Sequence, residues 1–446
     1  MRLSVKNLGK IEKAEIIVDG ITAITGNNNT GKSTIGKVFF SFFNGFYGMN
    51  KKVVNAIESK LKDSYREVLE DEIDKNNQIE EVESNFRSSY SSVHRKTNRL
   101  FKELSVAEET SKDKGLDDLC QIFAAICIDN GISKEKADDL AQELLKRRDV
   151  IEDIDENKIV REIITRYFKQ NFNGQINSLD DTETDSEIKV EIKGETSQIV
   201  FNDNSCTKIK MNVNILHEAY YIDDPFVADA SKSKCFFYPA QRNSSLIDIR
   251  EHLEYKLTQQ NDIMGNVVDA VTSKETLEEV YTILERVIKG QLREEKDDLE
   301  FVTEKYKKPI KVSNLSAGLK SFIIIKRLLE GGIIKEKDVI ILDEPEIHLH
   351  PKWQLIYAEL IVVLQEKFDL SVIITTNSVD FLEAIEYFSK KYHRQPICNY
   401  YMAKEIDDGK CTFVHVDDNM NELYQKMVEP GIRLNDLKSK WEEEND

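Results

Sequence analysis

The chain has 446 residues, with 62 Lys and Arg against 81 Asp and Glu, a net charge of −19. A composition 40% hydrophobic and 32% charged, with only 7 Pro and 18 Gly, excludes a largely disordered or fibrous chain and suits a helix-rich globular one. The acidic balance also excludes a surface that coats nucleic acid throughout, although a local basic groove stays open.

At ~150 residues per domain the length suggests two or three domains, or one large domain carrying an insertion. No run of about 18 apolar residues is present, so no membrane-spanning helix is expected. Met1 to Lys6 lacks the apolar core and small-residue cleavage site of a signal peptide. Cys120, Cys127, Cys206, Cys235, Cys398 and Cys411 are scattered without a CxxC pair. Reduced thiols in a cytoplasmic protein are the expectation.

In chain order, Leu3 to Leu8, Ala14 to Val18 and Ile21 to Thr25 read as short strands, and Ile35 to Phe43 as a helix. Between the last two lies Gly26-Asn27-Asn28-Asn29-Thr30-Gly31-Lys32-Ser33-Thr34. From about residue 47 the chain turns polar and its spaced apolar residues (Val54, Ile57, Leu61, Val68) predict amphipathic helices. Helical patterning continues through Leu116 to Asn130, Lys134 to Arg148 and Ile159 to Gln170. Residues 187–202 alternate apolar and polar about Gly194, as a hairpin does. Ala219 to Ile222 and Cys235 to Tyr238 are core-like strands, followed by a helical stretch from about Leu246 to Lys289. The last third alternates strand (Val339 to Leu342, Ser371 to Thr375) with helix (Trp353 to Glu366, Asp380 to Lys391). That is parallel α/β organisation. The expected layout is an α/β domain with its N-terminal lobe at 1–46, a mainly helical insertion at 47–210 that carries the hairpin, a C-terminal lobe at 211–400, and a terminal segment at 401–446.

The spacing Gly26-x4-Gly31-Lys32-Ser33 is that of a Walker A loop. Its glycines let backbone amides turn toward a phosphate, and the following helix presents its positive end to the same anion. Lys32 would reach the β- and γ-phosphates of ATP, and the Ser33 hydroxyl would help hold Mg²⁺. Val339 to Leu342 followed by Asp343-Glu344-Pro345 is the natural Walker B partner. Asp343 would hold Mg²⁺ through a water, and Glu344 would orient and deprotonate the attacking water. Leu315-Ser316-Ala317-Gly318 opens a helix about twenty residues before that strand, where Ser316 and the Gly318 amide can bind a phosphate. A small-residue turn of this kind is also an ordinary helix cap.

Leu315-Ser316-x-Gly318 ahead of Leu342-Asp343-Glu344-Pro345 resembles the signature and Walker B order of ABC-type ATPases. The run Asp343-Glu-Pro-Glu346-Ile-His348-Leu-His350-Pro351 is similar to that of the SMC, RecF and overcoming-lysogenisation-defect group. Tyr238-Pro-Ala-Gln241-Arg242 resembles the Pro-Ala-Glu-Arg segment of that group's bacterial members, with Gln241 for Glu. The resemblance covers roughly residues 1–46 and 210–390 and leaves the insertion unassigned. It implies an ABC-type P-loop ATPase head and a head-to-tail homodimer with two ATP at the interface. Ser316 and Gly318 of one protomer would then close over the γ-phosphate held by Lys32 of the other, and His348 to His350 would cross the interface. Gln241 would contact water or Mg²⁺, while Arg242 either reaches a phosphate or braces its own loop. The family usually places a His after the strand Ser371 to Thr375; Asn377 stands here. Asn donates a hydrogen bond but carries no proton or charge, so slow hydrolysis is expected. Zinc at His348 and His350 is disfavoured, since no further ligand lies near.

Residues 87–102 hold five basic residues and no acid, which fits a solvated helix face balanced by the acids of 67–83 better than a nucleic-acid contact. Three function classes follow. The one best supported is an ATP-driven sensor in a bacterial anti-phage defence complex, controlling a separate nuclease or toxic effector. About fifty residues follow Lys391, so a fused nuclease is not expected. A RecF- or SMC-like repair ATPase acting directly on DNA is the alternative, and a transporter subunit fits poorly with about 280 residues between Walker A and signature.

Overall fold

The computed structural model describes residues 1–77, 99–104, 106–107, 116–130, 132–179, 184–230, 248–258, 277–295, 298–406, 409–416 and 420–445. Two compact units emerge: Met1–Gly48 together with Arg161–Asp446, and Met49–Val160.

The larger unit is built on one eleven-stranded sheet. Its strands in chain order are β1 (Arg2–Leu8), β2 (Ile11–Ile17), β3 (Ile21–Gly26), β4 (Ser186–Ile192), β5 (Glu195–Asn202), β6 (Ser205–Lys210) and β7 (Ala219–Ile222). A separate three-stranded sheet follows, β8 (Gln291–Glu295), β9 (Asp298–Val302) and β10 (Ile310–Lys311). The large sheet is completed by β11 (Val339–Asp343), β12 (Ser371–Thr375), β13 (Cys398–Glu405) and β14 (Cys411–His415). Its spatial order is β6-β5-β4-β1-β2-β14-β13-β3-β12-β11-β7.

The two halves of this sheet read differently because they are covered differently. The neighbours β7, β11, β12, β3 and β13 are parallel. All four residues of β7 and the first four of β11 are buried, as a strand sandwiched between helices requires. The antiparallel half, β1 with β2 and β4 to β6, alternates buried and half-exposed positions. β14 pairs with β2 and joins the halves.

Helices among the described residues include α1 (Lys32–Phe46), α2 (Met49–Asn77), α3 (Leu116–Asp129), α4 (Lys134–Glu152), α5 (Glu156–Asn171), α6 (Ile249–Thr258), α7 (Ala317–Glu330), α8 (Pro351–Phe368), α9 (Val379–Lys391) and α10 (Met420–Asn445). α7, α8 and the strand residues Ile340, Leu342 and Ile374 share one large apolar core. The smaller unit is helical and has its own core, in which Tyr65, Leu104, Phe123, Leu140 and Leu144 pack. No helix among the described residues is long and apolar enough to cross a membrane.

Two expected boundaries shift. The hairpin at 187–202 does not belong to the helical insertion: β4 pairs with β1 from Arg2↔Glu191 to Lys6↔Glu187 and extends the main sheet. An alternating strand specifies which face is buried, but not which edge it joins. The boundary at residue 400 cuts through β13, which pairs with β3 from Cys398↔Ile21 to Ala403↔Gly26. Asn399-Tyr-Tyr-Met402 lacks the branched aliphatic run that marked β11 and β12, leaving only the weaker strand signal of its two tyrosines. The strand expected at Cys235 to Tyr238 lies outside the described residues, as do Gln241, Arg242 and most of the basic stretch at 87–102.

Candidate functional site

β3 delivers the chain into the Gly26 to Thr34 loop at the carboxyl end of the parallel strands, where such sheets bind their ligands. Gly26 sits at φ 143°, and a Cβ there would meet the Ala403 carbonyl oxygen at 2.5 Å. Only glycine fits between β3 and β13 at that point. Asn29 at φ 66° and Gly31 at φ 81° complete the curl, and the Thr30 hydroxyl closes it on the Asn27 carbonyl at 2.8 Å. α1 then begins at Lys32, with Ser33 and Thr34 in its first turn and no acid there to oppose an anion.

The Lys32 ammonium donates to the carbonyls of Gly26 (2.8 Å) and Asn27 (2.9 Å). Burial pulls its pKa below the ordinary lysine value, while Glu344, Asp343 and Glu346 work against that shift. The Ser33 hydroxyl donates to Asp343 Oδ1 at 3.0 Å. Asp343 ends β11, and the parallel register sets it beside Thr375 on β12. The Thr375 hydroxyl donates to the same Oδ1, and the Tyr221 hydroxyl of β7 donates to Oδ2 at 2.6 Å.

Glu344 holds a left-handed backbone, φ 48°, which costs a non-glycine residue of order 1–3 kcal/mol. Its amide is fastened to the Thr375 carbonyl and hydroxyl, both at 3.1 Å. That turn brings its carboxylate to Asn377, whose amide nitrogen donates to Glu344 Oε1 at 2.7 Å and to Asn28 Oδ1 at 3.0 Å. Glu346 is buried beneath, accepting from the Thr376 hydroxyl (2.6 Å) and the Asn377 amide (3.0 Å) through Oε1. Burial raises its pKa, and those hydrogen bonds oppose the rise.

Asn28, Lys32, Ser33, Asp343, Glu344 and Asn377 are thus brought together from three parallel strands. Ser316 and Gly318 are elsewhere. Ser316 caps α7 by accepting from the Leu319 amide at 3.4 Å, and a Cβ on Gly318 would meet the His348 carbonyl oxygen at 2.8 Å. His350 caps α8, its Nδ1 accepting from the Lys352 amide at 3.3 Å.

The AAA ATPase domain family (AAA_15) matches residues 1–382. The chain belongs to this family. This ATPase domain therefore binds nucleotide, and its P-loop lies between β3 and α1 of an α/β sheet. No curated protein matches the sequence. Among solved structures, the SMC head domain from Thermotoga maritima aligns at 11% identity and a TM-score of 0.35, covering 93% of this chain and 98% of that one. An SMC head bound to the C-terminal winged-helix domain of ScpA aligns at 11% identity and 0.40, covering 94% and 98%. The Pyrococcus furiosus SMC head with an extended coiled coil aligns at 12% and 0.33, covering 96% and 98%.

The residues around Asp343 fit a hard cation. A serine hydroxyl and a carboxylate 3.0 Å apart make an all-oxygen donor pair at the end of a phosphate loop, the setting in which Mg²⁺ keeps several waters and adds phosphate oxygens. Tyr221 and Thr375 had no part in the sequence reading of the site, and Glu346 entered it only within the run Asp343 to Pro351, with no role assigned. The available signal was Tyr221 itself, a phenol in a strand buried at every position, which must find a hydrogen-bond partner inside.

Proposed function

We propose that this ATPase binds ATP with Mg²⁺ at the cluster from Asn28 to Asn377, closes head-to-tail with a second copy around two ATP, and hydrolyses them slowly. In this reading it is the sensor and regulatory subunit of a bacterial anti-phage defence complex that controls a separate effector, a nuclease or another toxin. The observation that carries the nucleotide part is the Ser33–Asp343 hydrogen bond, with Lys32 and Glu344 on the same loop face.

Lys32 would exchange two neutral carbonyls for charged phosphate oxygens, and such charge-assisted bonds are roughly twice as strong. Ser33 and Asp343 would hold Mg²⁺, which when bound neutralises charge on the β- and γ-phosphates. Glu344 would take the proton of the attacking water as its oxygen bonds to the γ-phosphorus and the bond to the bridging oxygen breaks. Asn377 offers that centre an N–H and no charge, which supports slow turnover. Gly318 lies against the His348 carbonyl and Ser316 caps its own helix, while Lys32 donates to Gly26 and Asn27, which supports Ser316 and Gly318 serving a partner's nucleotide. The defence role is supported by the likeness of the run Asp343 to Pro351 to that of the SMC, RecF and overcoming-lysogenisation-defect group, which resembles the ATPase subunits of bacterial anti-phage systems.

The test is mass in solution with and without ATP and Mg²⁺, for wild type and Glu344→Gln, alone and coexpressed with the neighbouring gene product. ATP should drive a dimer that persists longer in Glu344→Gln, since losing a general base costs ~10²–10⁴ in turnover while leaving the phosphate contacts intact. The neighbour should copurify. A mass indifferent to nucleotide would overturn the sandwich. Salt-dependent DNA binding by the protein alone, with no partner, would replace the defence reading with direct action on DNA.

A further inference from the structure

We propose that Tyr221 is a positioning residue for Asp343, fixing the rotation of its carboxylate so that Oδ1 stays aimed at Ser33. The proposal rests on reading Ser33 and Asp343 as the Mg²⁺ ligands. Tyr221 lies on β7 directly beside Ile341 of β11, two residues before Asp343. Its side chain is 1% exposed and is confined by α1: a Cβ built on Gly36 would meet Tyr221 Cε2 at 2.9 Å. Phe40, one turn further along α1, meets the ring edge-on at 6.4 Å between centroids. A ring held this way has its hydroxyl fixed at the Asp343 side of the loop.

That hydroxyl meets Asp343 Oδ2 at 2.6 Å, with the Ser33 carbonyl oxygen a longer second acceptor at 3.5 Å. The two carboxylate oxygens are therefore served from opposite sides: Oδ1 by Ser33 and Thr375, Oδ2 by Tyr221. With the phenol removed, nothing among the described residues donates to Oδ2, and the carboxylate can rotate away from Ser33. Partners behind a metal ligand typically affect metal affinity by about 10- to 100-fold.

Phe at 221 keeps the ring and removes only the donor. Tyr220 supplies the control, since it is equally buried on the same strand but donates to the Ile333 carbonyl at 3.0 Å, away from Asp343. Binding of a fluorescent ATP analogue by the full chain would be titrated with Mg²⁺ for wild type, Tyr221→Phe and Tyr220→Phe. The titrations would be run at a temperature where circular dichroism shows all three folded. The expected result is a Mg²⁺ midpoint about tenfold higher in Tyr221→Phe, unchanged in Tyr220→Phe, with equal affinities for the three proteins in EDTA. A Tyr221→Phe midpoint within about twofold of wild type would reduce Tyr221 to packing and overturn the proposal. If wild-type affinity itself ignores Mg²⁺, the assignment of Ser33 and Asp343 fails, and this inference fails with it.

Discussion

Both hydrogens of the Asn377 amide are committed, one to Glu344 and one to Asn28 on the phosphate loop. A γ-phosphate arriving between these groups competes for the same donor, so phosphate contact and release of Glu344 are one event. Asn377→Ala removes the tie and the donor together, and turnover should fall about tenfold, roughly 1.4 kcal/mol of barrier, with ATP affinity within about threefold. Asn377→His restores a group that can carry charge toward the phosphate, and turnover should rise by about the same factor. A phosphate-release assay under saturating ATP reads both, and equal rates for the three proteins would remove Asn377 from the mechanism. At this scale the sequence is legible where the chemistry is contiguous. Gly26 to Thr34 and Asp343-Glu344 are each read from neighbouring residues. Tyr221 and Thr375 reach Asp343 across 122 and 32 residues, and no local pattern carries such a contact.

Elements were legible where composition or alternation carries the signal. β11 and β12 are runs of aliphatic residues because helices cover both faces, and that composition is itself the signal. β13 is buried through Tyr400, Tyr401, Met402 and Ala403, residue types that also populate surfaces and turns. The seat of α1 on the sheet depends on Gly36, where a Cβ would meet Ile341 Cγ2 at 2.8 Å and Tyr221 Cε2 at 2.9 Å. Both side chains are buried against the sheet and have little room to retreat. Gly36→Ala gains about 1 kcal/mol of helix propensity, but overpacking at a rigid site costs ~1–3 kcal/mol. The clash should win, lowering the melting temperature by a few degrees. An alanine variant that melts at or above wild type would show that α1 can shift without cost.

At the scale of the whole larger unit, the sheet closes late in the chain. β13 enters between β3 and β14, and β14 pairs with β2 to join the two halves. The Tyr401 hydroxyl also accepts the Ile17 amide of β2 at 2.8 Å, so β13 holds both halves. Past β14, Leu423 is fully buried and Met427 packs beside it in a cluster with Ala23, Tyr400 and Met402. Beyond that point α10 presents an exposed surface from Gly431 to Trp441. The two parts of the C-terminal stretch should therefore respond oppositely to shortening. A chain ending at Ile397 leaves the edges of β3 and β2 unpaired and exposes the apolar side chains that β13 covers. Whole domains are stable by only about 5–15 kcal/mol, so losing a strand from the middle of the sheet should leave no cooperative melt. A chain ending at Met427 keeps every sheet contact and should melt within about 3 °C of the full chain, with nucleotide binding intact. Differential scanning fluorimetry on the two truncations decides it: if the shorter one melts cooperatively, β13 is a dispensable addition to the ATPase head rather than a strand the phosphate loop stands on.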